Sequence, residues 1–192
     1  MKKIKKIILL LFILIPVVTA FDLSQYPNFL IDNRTIDTIL VIGDNTVDEP
    51  AALNIITGLK LSEYYIKDSL EYDPRILNFM YELPLKKSSE IKSLYDKNII
   101  IVGGPCANKE AARIMNAKTE WPECAIGFKQ DFAKIKLYNN YGKFQLLVAG
   151  YEAKDTLAAS TVLENFVNYT LMGKDIEVNT YNPKRVVLNK IE

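Results

Sequence analysis

The chain has 192 residues, with 24 Lys and Arg against 23 Asp and Glu, and no histidine. The missing histidine excludes His-based general acid–base catalysis, Ser-His triads and the usual zinc sites. A net charge of +1 offers no electrostatic footprint for nucleic acid or an anionic membrane.

Residues 1–20 have the layout of a signal peptide. MKKIKK is basic, IILLLFILIPVV is apolar, and Val18-Thr19-Ala20 supplies small residues before Phe21. The apolar run is short for a membrane span, which needs about 20 residues, although an uncleaved anchor is the competing reading. Removing the four lysines of this segment takes the net charge from +1 to −3. The remainder, 21–192, has the size of one domain and no second apolar stretch long enough to span a bilayer. The chain is therefore expected to be exported, to the cell surface or beyond it.

Three segments then share one grammar. TILVIGDN (38–45), NIIIVGGP (98–105) and FQLLVAGY (144–151) are apolar runs that end at glycine, each followed by a helical pattern. Such runs fit parallel strands covered on both faces. In the third helix Leu157, Ala158, Val162 and Leu163 fall at helical spacing, with Phe166 and Val167 one turn on. The expected fold is α/β: three layers, a mostly parallel sheet with helices on both faces, Rossmann-like, plus a hairpin. That hairpin joins strands at 133–138 and 144–149 through NNYG. KKSSEIKSLYDKN (86–98) reads as a short amphipathic helix, and 61–84 as helix, strand or loop. A last strand is expected near 175–180, followed by a frayed end after Pro183.

The candidate sites lie at the strand ends. Gly103-Gly104 could present backbone N–H groups to an anion, but the spacing matches no nucleotide-binding motif, and a strand-to-helix turn needs glycine anyway. Cys106 is placed at the first turn of the helix that follows, where a thiolate would be stabilised. Cys124 is the one other cysteine, and in an exported chain an isolated pair reads as a disulfide. Asp44, Asp48 and Glu49 gather after the first strand. Asp48 and Glu49 suit a helix cap with Pro50 in the first turn, and Asp155 caps another, while Asp44 remains a weak ligand or metal candidate. Asn33 and Asn168 each open an Asn-x-Thr glycosylation sequon. No resident metal or cofactor is expected.

The stretch DLSQYPNFLIDNRTIDTILVIGDNTVDEPAALNIITGL (22–59), then IIIVGGPCANKEAARIM (99–115), a second Cys, IKLY, and QLLVAGYEAKDTLAASTVLENF (145–166) resemble archaeal S-layer proteins in wording and order. The likeness spans 22–59 and about 97–170, and 60–96 match poorly. It implies a glycosylated, disulfide-bonded cell-surface structural protein without catalytic residues. Its partners would be its own copies or a larger surface-layer protein. Two other classes compete. One is a secreted module binding cell-surface polymer such as glycan, with tyrosines as stacking surfaces. The other is an exported enzyme using Asp44 or Cys106 at the strand ends.

Overall fold

The computed structural model describes residues 21–32, 35–36, 38–67, 83–181 and 187–190. The signal-like segment 1–20 and Asn33 lie outside the described residues. The strands are β1 (Ile31–Asp32), β2 (Thr35–Ile36), β3 (Thr38–Ile42), β4 (Leu85–Lys87), β5 (Asn98–Val102), β6 (Phe132–Asn140), β7 (Lys143–Gly150), β8 (Asp175–Asn179) and β9 (Val187–Lys190). The helices are α1 (Glu49–Lys67), α2 (Lys109–Met115) and α3 (Ala153–Glu164).

The fold is α/β. Its main sheet runs β4-β3-β5-β7-β6-β8-β9. The pairings β4–β3, β3–β5 and β5–β7 are parallel, whereas β7–β6, β6–β8 and β8–β9 are antiparallel. The sheet is thus mixed rather than mostly parallel. The physical reason is visible in β6, where AKIKLY alternates buried and half-buried positions. That alternation suits an antiparallel strand with one face toward solvent. In contrast, every residue of β5 is buried.

The pleat splits the core in two. Leu40, Ile42, Ile100, Val102, Leu146 and Val148 point to the face covered by α1 and α3. Val41, Ile99, Ile101, Leu147 and Ala149 point to the other, where Ala111, Ile114 and Met115 of α2 cover them. Helices therefore lie on both faces, as the sequence implies. The segment after the signal-like region is built into the larger core through Leu23, Tyr26, Phe29 and Leu30. Asp22 caps its first turn, accepting from the Ser24 N–H at 2.9 Å.

Four local expectations change. Residues 86–98 do not form the short amphipathic helix expected: β4 passes into a single 3-10 turn, Ser88–Glu90, and an irregular stretch whose Leu94 is buried while Tyr95 is exposed. The region after Pro183 supplies β9, which extends the sheet beside β8. The hairpin turn tightens to Tyr141-Gly142, both at positive φ (53° and 76°), the geometry of a two-residue turn matched to strand twist. In α3 the buried face is Asp155, Thr156, Ala159, Ser160, Val162 and Leu163, while Leu157 is exposed. Small and polar residues face inward there because α1 approaches very closely. A β-carbon on Gly58 would overlap the backbone of Glu164, and the Asn54 amide donates to Ser160 and Thr161 at 3.3 Å.

Candidate functional site

Chain order places β4 on one side of β3 and β5 on the other, so the crevice at the C-terminal ends of β3 and β5 is a topological switch point. Open α/β sheets hold ligands in such crevices. Here the crevice is packed with the protein's own groups. The Asn108 side-chain amide donates to the carbonyls of Val41 and Val102, each at 3.0 Å, tying the two strand ends together. Its side-chain oxygen accepts from the Glu110 N–H at 3.0 Å and so caps α2. The Ala107 carbonyl lies so close to Gly43 that a β-carbon there would overlap it.

The two glycines are likewise committed. Gly103 has φ +102°, and a β-carbon on it would run into the Asp48 carboxylate. The Gly103 N–H donates to the Val148 carbonyl at 2.9 Å, so it is not turned toward an anion. The Gly104 carbonyl accepts from the N–H groups of Ala107 and Asn108.

Cys106 precedes α2 rather than sitting in its first turn, since the N-cap is Asn108. It forms a disulfide with Cys124, with the Cα atoms 5.0 Å apart. Closing that loop stabilises the fold by about 3 kcal/mol in the chain-entropy account. Asp44 is exposed, and its carboxylate is used. Oδ1 accepts from the Ser89 N–H at 2.9 Å and the Ser88 hydroxyl at 3.1 Å, joining the end of β3 to the turn after β4. The Ser89 backbone bond, above all, holds its carboxyl below the ordinary value. Asp155 is a cap, as its sequence context implies: it accepts from the Glu152 N–H at 3.0 Å, and the Thr180 hydroxyl donates to its other oxygen. Asn168 is exposed at the end of the 3-10 turn Phe166–Asn168.

Asp48 is different. It is 3% exposed, and its Oδ1 has no hydrogen-bond partner. Burial pushes its carboxyl above the ordinary value, with a hydrogen bond from the Thr156 hydroxyl acting the other way. The residue therefore does more than begin a helix. Sequence reading assigns it to capping because Asp-Glu-Pro is a common helix start. The close approach of Gly103, the one signal of its burial, is a tertiary fact.

Asp48 lines a cleft of about 70 Å3. Its other walls are Gly104–Ala107 with the disulfide, Ala125, Phe128, and Gly150–Ala153 with Thr156. Of the lining side chains Val47 and Tyr151 are exposed, and Trp121, 68% exposed, sets its ring 6.4 Å from that of Tyr151. Among the described residues no three His, Cys, Asp or Glu side chains group as metal ligands, and no helix is long and apolar enough to cross a membrane.

In comparisons with known proteins, no protein-family model matches the chain and no curated protein matches it.

Proposed function

We propose that the protein is an exported, S-layer-like component of an archaeal envelope, structural rather than catalytic, working by contacts with its own copies or a larger surface-layer protein. The observation that carries this reading is the pairing of a disulfide with an exposed aromatic and aliphatic rim on the same face. Cys106–Cys124 suits an oxidising compartment. Trp121 and Tyr151 are residue types that anchor protein–protein contacts when exposed together. The packed switch-point crevice supports a non-enzymatic role, because Asn108 fills the position where an α/β enzyme would hold its ligand. The wording shared with archaeal S-layer proteins supplies the compartment and the role. In fold terms we read the parallel half as Rossmann-like, extended at β7 by an antiparallel half.

Cleavage before Phe21 and N-glycosylation at Asn33 and Asn168 belong to the same reading. Exposure of Asn168 supports its use as an acceptor. A second reading, binding of cell-surface glycan, is favoured by one feature, the Trp121–Tyr151 pair, whose rings could stack on sugars. Fractionation of the native source separates the two. The surface-protein reading expects the chain in the envelope fraction, lost from it when envelope proteins are stripped and glycans retained. Retention on stripped glycan would favour the module, and absence from the envelope would overturn both.

A further inference from the structure

We propose that the cleft at Asp48 is a socket for a lysine side chain presented by a partner polypeptide, with the ammonium received by Asp48 Oδ1. The inference rests on the reading that this face makes protein–protein contacts, and it names the chemistry of the contact.

Three observations point to a cation on an aliphatic stem. First, Asp48 is buried with one carboxylate oxygen unpartnered. Buried carboxylates are ordinarily paired, and leaving one unpaired is costly. A donor arriving through the cleft removes that cost. Second, the walls between the mouth and Asp48 are mainly apolar: Pro105, the disulfide, Ala125, Phe128 and Tyr151. Such walls suit the four-carbon stem of lysine, which packs along apolar surface while its head finds a polar group. Third, Glu152, which is exposed, adds a second carboxylate to the lining of the cleft. Lys154 is the basic side chain nearest Glu152, paired with it at 3.0 Å and with Asp131 at 3.3 Å.

Geometry favours lysine over arginine. A guanidinium pairs best with both oxygens of a carboxylate. Here Oδ2 packs against Gly103, which leaves Oδ1 alone to offer. The compact ammonium needs a single acceptor oxygen, and a cleft of about 70 Å3 suits a narrow chain. The exposed Trp121 and Tyr151 would pack on the polypeptide that carries the lysine.

The test titrates the native, disulfide-bonded protein with Nα-acetyl-lysine methylamide and follows backbone amide shifts by NMR. The expected result is saturable shifts confined to Val47–Glu49, Gly104–Ala107, Ala125–Phe128 and Tyr151–Thr156. Affinity should lie in the millimolar range, as befits one side chain. The norleucine analogue, which keeps the stem and lacks the ammonium, should bind at least tenfold more weakly. Asp48→Asn should weaken the lysine probe at least tenfold. Ala153→Phe should do the same by filling the cleft, and it decides the question should Asp48→Asn fail to fold. Equal response to both probes, shifts outside the cleft, or unchanged binding in a folded variant would overturn the socket. Envelope fractionation is read separately. Envelope-bound protein without a lysine response overturns the socket alone, and a lysine response in a protein absent from the envelope overturns the surface reading alone.

Discussion

The Asp48 carboxylate occupies the space that a β-carbon on Gly103 would need. The glycine is therefore required twice, by its φ of +102° and by its neighbour. Gly103→Ala should lower stability by about 2–3 kcal/mol, since both the backbone conformation and the displaced carboxylate contribute. The two causes separate in a double-mutant cycle read by urea unfolding. With Asp48→Ala in the background, the cost of Gly103→Ala should shrink to about 1 kcal/mol, the backbone part. Additive costs would show that the carboxylate and the glycine are independent.

Asn108 is the second device at this end of the sheet. Its amide satisfies two buried carbonyls on different strands while its oxygen caps α2. Asn108→Ala should cost about 3 kcal/mol, combining a lost cap with two carbonyls left without this donor. Asn108→Asp is the sharper variant. It keeps the capping oxygen but sets a carboxylate against the Val41 and Val102 carbonyls, so it should destabilise at least as much at neutral pH. Thermal unfolding of the two variants decides this, and a mild Asn108→Asp would mean that capping is its main role.

Much of this was legible in the chain and part was not. The three apolar runs ending in glycine identify β3, β5 and β7, because strands covered on both faces are apolar along most of their length, here with only Thr38, Asn98 and Gln145 as buried polar positions. The Cys106–Cys124 bond is the reading that an isolated cysteine pair behind a signal-like segment suggests. The antiparallel half is only partly legible: β8 falls where a last strand is expected near 175–180, but its pairing to β6, and that of β9 to β8, are tertiary facts. Residues 86–98 contain Ile91, Leu94 and Tyr95 at helical spacing, yet Asp44 captures Ser88 and Ser89 and ends the helical option there. Asp48 looks like a cap in sequence because nothing local reveals that Gly103 and Thr156 will close over it.

Asp44 and Asp48 should give opposite pH dependence. Hydrogen bonding, chiefly from the Ser89 N–H, lowers the Asp44 carboxyl in the folded state. Its stabilisation is present above the unfolded value near 4 and is lost as pH falls through the folded value. Burial raises the Asp48 carboxyl. Its favourable contribution is present below about 4 and is lost as pH rises from there through the folded value. Urea midpoints measured from pH 3 upward should show Asp44→Asn removing part of the acid-side loss. In the same series Asp48→Asn should flatten the decline that follows. The same sign of change for both variants would contradict these environments.

Removing the disulfide should loosen one side of the loop more than the other. The segment it closes contains α2, which keeps its own anchors: the Asn108 cap, Ala111 in the smaller core, and the Arg113–Glu110 ion pair at 2.8 Å. The stretch from Ala117 to Phe128 has fewer ties, a few backbone turns and the half-buried Phe128. Cys106→Ser/Cys124→Ser should therefore cost about 3 kcal/mol globally, a fall of about 6–12 °C in Tm. Hydrogen exchange should locate the change. Amides of Cys124, Ala125 and Phe128, which bond to Glu120, Pro122 and Ala125, should lose protection beyond the global shift. Amides within α2 should follow the global shift alone. Because Cys124 and Ala125 form one wall of the Asp48 cleft, that local loosening should also open the wall. Uniform loss of protection across both regions would show instead that α2 and the 117–128 stretch unfold as one unit.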